Sequence, residues 1–404
     1  MNELYAALEI GTSRTVLAIG GCERDMPLKI ACIGDVPSAG VRKSAISNIA
    51  NATQSIRSAL SQIERKLKES GDSVTIGNAY LVLNGRDISA TPYQSPVPVE
   101  RGKVSQRDID ICREAVRQMS VGEDRELLDI VEQTYQLDDM GMVTDPAGLS
   151  GRILKLSALY LTANRALVDN ARTAASACHL ELRDSLFSAT CAADAVLSAA
   201  ERRDGVLLLD LGGGSTGYAA YIDGILTDVN VIGIGGEHIN NDIAHAFQTT
   251  LGQAEELKVS HASAVVSPDA PGDGRVAIRG TSALLESRTV SRRALDTVVN
   301  LRCKELLAIV RERLEESNVL HRLHGGVVLC GGGAAMRGIQ ELIRRELGLP
   351  VRIGVPAGVA GLEKVPHPEA FASVAGALLY ASRNGESRWG VGDFFRGIFR
   401  SVFK

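Results

Sequence analysis

Two segments about two hundred residues apart are built to one plan, and that repetition narrows the possible folds more than anything else in the chain. In the first, the strand-like run Ala6-Ala7-Leu8-Glu9-Ile10 turns at Gly11-Thr12-Ser13 and resumes as Thr15-Val16-Leu17-Ala18-Ile19. In the second, Val206-Leu207-Leu208-Leu209-Asp210-Leu211 meets Gly212-Gly213-Gly214-Ser215-Thr216 and resumes as Tyr218-Ala219-Ala220-Tyr221. Each carries an acid two residues before the first turn glycine and small hydroxyl residues after it. Such self-similarity predicts a duplicated domain.

The element after the glycines separates the phosphate-binding folds. A dinucleotide fold or a P-loop opens a helix there, and a P-loop adds a lysine followed by Ser or Thr, which this chain lacks. Here a strand comes next. Glycine-rich tips expose backbone N–H groups in a concave nest that grips phosphate oxygens. The adjoining carboxylates, Glu9 and Asp210, suit a hydrated Mg²⁺, which prefers oxygen ligands and keeps several waters. Either hairpin taken singly is equally an ordinary turn; the shared acid offset is what favours a site. A third glycine element, the strand Gly326–Cys330, then Gly331-Gly332-Gly333, then a helix over Met336–Leu347, offers a floor for a flat ring or a plain α/β crossover.

The C-terminus asks for a different partner. Four of the seven phenylalanines fall in the last eleven residues. On a helix, Phe394, Ile398 and Val402 form one ridge and Phe395, Phe399 and Phe403 the next, with Arg396, Arg400 and Lys404 opposite. An aromatic face against a basic face is the pattern of an interfacial helix, and Trp389 suits an interface anchor. The segment is too short and too charged to span a bilayer. Docking on the protein's own core is the alternative, but Ser382–Gly392 ahead of it reads as a flexible tether. The whole chain carries a formal net charge of −4, so nothing draws the molecule as a whole to nucleic acid and the basic tail is a local feature. The seven cysteines are scattered, never in a CxxC arrangement, which indicates neither a disulfide framework nor a zinc site and fits a reducing cytoplasm. Ile19-Gly20-Gly21-Cys22 looks like a lipoprotein box, yet Glu3, Glu9 and Arg14 interrupt the stretch before it, which rejects a signal peptide.

Two phosphate hairpins succeeded by a glycine floor resemble the actin, sugar kinase and heat-shock chaperone superfamily. Within it the chain is similar to the bacterial FtsA cell-division family over nearly its whole length. The residues that carry the likeness are Leu8–Ser13, with Glu9 where most relatives have Asp, and Asp145-Pro146-Ala147-Gly148-Leu149-Ser150-Gly151. Asp210–Gly214, Gly235-Gly236 with Asp242, Ala254-Glu255 with Lys258, and Gly331–Gly333 complete it.

The resemblance implies an α/β, actin-like duplicated fold around a central ATP cleft, with a subdomain inserted in the first half. It divides the chain into a first core at 1–83, an insertion at 84–164, a return to that core at 165–200, and a second core at 201–244. Beyond these come an outer subdomain at 245–302, more of the second core with a return helix at 303–381, a linker at 382–392 and the amphipathic helix at 393–404. On its own terms the insertion shows a polar helix-like run at Val104–Met119 and an apolar strand at Leu154–Leu161, while Asn48–Lys68 places Ile49, Ile56, Ala59, Leu60, Ile63 and Leu67 on one helix face. By the likeness, Gly11, Thr12 and Ser13 contact phosphates from one side and Gly212, Gly213 and Gly214 from the other, with Asp210 behind the metal. Gly236 belongs to the same motif set; Glu255 and Lys258 reach the ribose and adenine, over Gly332 and Gly333. Without the other motifs, Glu255 and Lys258 read as an ordinary solvated face.

Two departures bear on chemistry. Gly217 stands where many relatives carry a second Asp, and Ala189 where chaperones and filament ATPases place a Glu or Gln that orients the attacking water. Binding of ATP with weak or absent turnover is expected. The family further implies self-association into filaments on anionic lipid at the cytoplasmic face of the inner membrane, at the division site. It also implies capture of the C-terminal peptide of the tubulin-like protein FtsZ, and recruitment of later division proteins. The outer subdomain, with Arg288, Arg292, Arg293 and Arg302, is a basic candidate for that peptide. Alternatives are an actin-like pilus-assembly adaptor and a sugar or acyl-group kinase of the same superfamily.

Overall fold

The computed structural model describes residues 3–22, 27–69, 75–266, 274–278, 280 and 287–384. The residues from Trp389 to Lys404 expected to meet a membrane lie outside them. Among the described residues no helix is long and apolar enough to cross a bilayer.

The repeat seen in sequence is a repeat of topology. In the first half, Glu3–Ile10, Arg14–Cys22 and Leu28–Pro37 form an antiparallel meander, and Asn78–Leu83 and then Glu181–Phe187 add in parallel beside its first strand. In the second half, Val206–Leu211, Thr216–Ile222 and Ile225–Ile232 form the same meander, extended in parallel by Gly326–Cys330 and Val351–Ile353. Both sheets therefore run third-second-first-fourth-fifth, the first with Val359–Ala360 added on its far edge. The central strands are buried on both faces, which is why they read as unbroken apolar runs instead of alternating ones.

The crossover helix Ile49–Glu69 joins the third and fourth strands of the first half. Ala52, Ile56, Ala59, Ile63 and Leu67 recur at helical spacing and are buried on the sheet, and Lys66 and Lys68 sit at the negative end of the helix dipole. A methyl on Gly34 would come 2.4 Å from the Ala59 carbonyl, so the helix lies directly on strand backbone. Two residues depart from the expected face. Ile49 is exposed and Leu60 only half-buried.

The insertion is a four-stranded antiparallel sheet in the order Ile88–Pro98, Ile153–Asn164, Arg125–Leu137, Met142–Val143. The polar run beside it forms the helix Gln106–Arg117, started by a capping box in which Ser105 and Asp108 satisfy each other's backbone N–H. Ile109, Cys112 and Val116 pack with Leu137, Leu154, Leu156 and Tyr160 as a core of their own. The Pro-containing motif is a tight return, where a methyl on Gly151 would strike Leu137 Cγ at 2.4 Å.

The last described helix, Ala372–Asn384, belongs elsewhere than expected. The sequence order puts it with the second half, yet it packs on the helix Ser188–Val196 and on the first two strands of the first sheet. Nearly every residue of both helices at the contact is small, and a methyl on Gly376 would overlap the Cys191 carbonyl at 1.7 Å. The helix also runs through Ser382, Arg383 and Asn384, so the tether expected from 382 starts no earlier than 385.

Candidate nucleotide-binding site

Both hairpin turns close the same way. Gly11 N donates to Arg14 O at 2.9 Å and Gly212 N to Ser215 O at 3.0 Å, leaving the amides of Thr12, Ser13, Gly213 and Gly214 without a hydrogen bond among the described residues. The carbonyl side of the second turn is already engaged. Gly236 N donates to Gly212 O at 3.0 Å and Glu237 N to Gly213 O at 2.8 Å, so the first amides of the helix Gly236–Ala246 hold the turn from behind. Gly235 must be small for this, since a methyl there would lie 2.6 Å from Gly213 O. What remains open is the N–H side of each turn, the side that suits phosphate oxygens.

The two turns face each other across the halves. A methyl on Gly213 would come 2.1 Å from Ser13 Oγ, and one on Gly214 2.2 Å from Thr12 Oγ1. A run of hydroxyl groups fastens them: Ser44 N donates to Thr12 Oγ1 at 2.8 Å, Ser44 Oγ and Ser215 Oγ are 3.0 Å apart, and Ser215 Oγ donates to Asn84 Oδ1 at 3.2 Å. Ser215 adjoins a glycine motif and could have been picked from it. Ser44 and Asn84 come from remote segments with no local signature, and only the fold brings them here.

Behind the turns, Asp210 is buried, while Glu9 is packed about by protein with the cleft still admitting solvent to it. Ser373 Oγ donates to Glu9 Oε2 at 2.6 Å, another contact that sequence did not disclose. Burial pushes the Asp210 carboxyl up to about 7, helped by the charge of Glu9 and opposed by the Ser188 hydroxyl beside it, which makes no hydrogen bond of normal geometry. Burial also raises Glu9, against the hydrogen bond from Ser373 and the charge of Arg14. Burial raises both acids, and the charge of Glu9 adds to the rise at Asp210, which makes this a place short of positive charge. Gly331, at φ 80°, allows this packing, because a methyl there would sit 2.5 Å from Asp210 Oδ1. Among the described residues no three His, Cys, Asp or Glu side chains cluster as metal ligands. Glu9 and Asp210 offer carboxylate oxygens, the donor chemistry that Mg²⁺ prefers, and water and ligand oxygens would have to complete its shell.

A narrow pocket, partly open to solvent, lies on the second half beside these turns and brings three glycine motifs together, with Gly212, Gly236 and Gly333 in its wall beside Leu211, Arg302 and Met336. Lys258 Nζ donates to Gly236 O at 3.3 Å and pairs with Glu255 Oε2 at 2.7 Å, so the lysine is held against the pocket wall. Glu255 itself stays on the exposed rim, where Asn240 also bonds it. Gly333 carries its backbone over Leu211, but Gly332 does not line the pocket. The helix expected from Met336 begins only at Ile339, because Gly332–Ala335 forms a 3₁₀ turn and Gly338 takes a left-handed φ of 77° at the helix start.

The two sequence departures lie side by side. A methyl on Gly217 would come 3.2 Å from Ala189 Cβ and 3.5 Å from Phe187 Cζ, so a side chain there would press on Ala189. The expected arginine patch does not form as one surface. Arg302 is in the pocket wall, bidentate to Asp242 at 2.6 and 2.8 Å; Arg288 caps the carbonyls of Phe247 and Gln248; Arg292 pairs with Asp296. Of the four, Arg293 alone is exposed with no ion pair among the described residues.

Family models match residues 85–162, described as the SHS2 domain inserted in FtsA, and 207–376, described as cell division protein FtsA. The cell division protein FtsA of Neisseria meningitidis is 31% identical over 92% of this chain and 89% of its own length. That of Pseudomonas aeruginosa is 30% identical over 94% of this chain and 89% of its own. The chain belongs to the FtsA cell-division family. Solved structures agree on the fold alone. A PilM–PilN type IV pilus biogenesis complex chain superposes with TM-score 0.63 at 18% identity, over 95% of this chain and 98% of that one. MreB5 of Spiroplasma citri, solved bound to ADP, superposes with TM-score 0.52 at 14% identity, over 94% and 97%. The FtsA assignment accounts for the inserted four-stranded subdomain, and the actin-like architecture accounts for two like sheets with their glycine turns face to face.

Proposed function

We propose that this FtsA-family chain binds ATP with Mg²⁺ between its two hairpin turns and, in that state, forms filaments on the cytoplasmic face of the cell membrane that tether FtsZ and recruit later division proteins. The observation that carries the nucleotide reading is the pairing of four free amides, on Thr12, Ser13, Gly213 and Gly214, with the raised carboxylate pair Glu9 and Asp210 behind them. The amides would take phosphate oxygens, the carboxylates would hold the hydrated cation, and the pocket at Gly236 and Gly333 would take the adenosine. The chemistry the ion supplies when bound is neutralisation of this crowded negative charge.

Turnover is a separate matter. Hydrolysis needs a water held in line, and neither Ala189 nor Gly217 can hold one. Asn84 Oδ1 would lie 3.8 Å from a methyl on Gly217, yet it already accepts from Ser215 Oγ. The ligand then acts chiefly by favouring a closed form that assembles. Membrane attachment is assigned to Trp389, Phe394, Phe395, Arg396, Ile398, Phe399, Arg400, Val402, Phe403 and Lys404, on their pattern alone.

The test is calorimetric titration with MgATP, for the parent and for Asp210→Ala, and then a measurement of phosphate release. The parent should bind, Asp210→Ala should lose binding while its melting stays cooperative, and release should fall far below the roughly 10 s⁻¹ of a median enzyme. Equal binding by the two proteins would refute the cleft.

A further inference from the structure

Val41-Arg42 and Ala45-Ile46 pair as a short ribbon whose two-residue turn, Lys43-Ser44, has both residues at left-handed φ, 49° and 63°. A two-residue turn of that hand strongly prefers Asn-Gly or Asp-Gly, because a Cβ is strained there. This chain places a lysine and a serine at the two strained positions. Residues kept in such conformations are characteristic of functional sites, where neighbouring structure holds them.

The neighbours here are the two phosphate turns. Ser44 donates its amide to Thr12 Oγ1 and shares a hydroxyl contact with Ser215, and a methyl on Gly214 would come 2.9 Å from Ser44 Oγ. The ribbon therefore closes on the Gly214-Ser215 end of the second turn, whereas the adenosine pocket is bounded by Gly212. Lys43 is exposed and makes no ion pair among the described residues. Its charge reaches across to His238 and that of Arg42 to Glu237, both in the helix turn that braces the second hairpin. This exposed lysine thus sits next to Ser44, in a turn seated on both hairpins, with no ion pair among the described residues to hold its charge.

We infer that this ribbon is a third phosphate-reading element, in which Lys43 takes the terminal phosphate of a nucleoside triphosphate and Ser44 fixes its turn against both hairpins. The proposal rests on the cleft being a nucleotide site. It makes Lys43 the residue that distinguishes a triphosphate from a diphosphate, since only the longer chain extends past Gly214 to the ribbon.

The experiment uses the full chain, titrated with MgATP and with MgADP, as the parent, Lys43→Ala and Lys43→Arg, with a thermal melt of each. Loss of a charge-assisted contact should weaken MgATP about tenfold in Lys43→Ala and leave MgADP within about twofold, while Lys43→Arg keeps most of the preference. If Lys43→Ala loses ATP and ADP equally, or loses neither, the ribbon does not read the terminal phosphate although the cleft stands. A parent that binds neither nucleotide would bring down both readings.

Discussion

Asp210 carries two opposed demands. Its carboxylate is wanted charged for a cation, yet burial and Glu9 hold its pKa up at about 7 in the folded chain, against 3.8 ordinarily. A group raised on folding binds more protons in the native state than in the unfolded one between those values, so stability falls as pH rises through that window. The nucleotide-free protein should therefore lose stability as pH rises from about 4 to about 7, to the extent that Asp210 and Glu9 dominate. Asp210→Asn removes the buried charge without changing shape. Its melting midpoint without nucleotide should exceed the parent's at pH 8 by about 2 °C or more, the gap narrowing as pH falls towards about 4. The stabilisation that MgATP gives the parent should vanish. A variant that melts below the parent at pH 8 would show that the carboxylate is satisfied by a partner other than a bound cation.

At the level of elements, the site depends on how closely two helices and two turns approach. Ser188–Val196 delivers Ser188 and Ala189 behind the cleft, and Ala372–Asn384 delivers Ser373 to Glu9. Their mutual position is set by small side chains, above all Gly376 against the Cys191 carbonyl. Gly376→Ala gains helix propensity, worth about 1 kcal/mol. It nevertheless forces the pair apart, and overpacking of that kind costs about 1–3 kcal/mol or more. A net loss of stability is expected in denaturant melts, with MgATP binding weakened because Ser373 moves off Glu9. Unchanged stability would mean that the two helices slide freely. The turns themselves were legible in sequence because their amide geometry is local: three residues and a glycine fix where the N–H groups point. Gly235 and Gly331 serve longer-range contacts, and a glycine's sequence context does not disclose which backbone it lets in.

For the whole molecule, two sheets of one topology meet at their glycine turns, and the inserted subdomain hangs from the first half with its own core. Attachment to lipid, on our reading, rests on the aromatic and basic pattern of the last sixteen residues from Trp389. One interfacial segment gives marginal binding, whereas many segments borne on one filament gain effective concentration. Deleting Trp389–Lys404 should leave MgATP affinity unchanged and release the protein from anionic vesicles in a flotation gradient. Arg396→Glu with Arg400→Glu should weaken binding to anionic vesicles more than to neutral ones, and more so at low salt. Flotation of the truncated chain would place the anchor elsewhere.

Sequence by itself determined the duplication, the two glycine turns and the acids before them, and the aromatic, basic tail pattern, because each is written in local spacing: alternation of apolar runs, glycine, and an acid at fixed offset. It also marked Ala189 and Gly217 as departures. Only the tertiary structure decided that these two are neighbours, that Ser44, Asn84 and Ser373 complete the cleft, that the return helix lies on the first sheet, and that three of four expected surface arginines are tied up within the chain. Those are contacts between segments tens to hundreds of residues apart, and nothing in a residue's own neighbourhood records what the fold will bring against it.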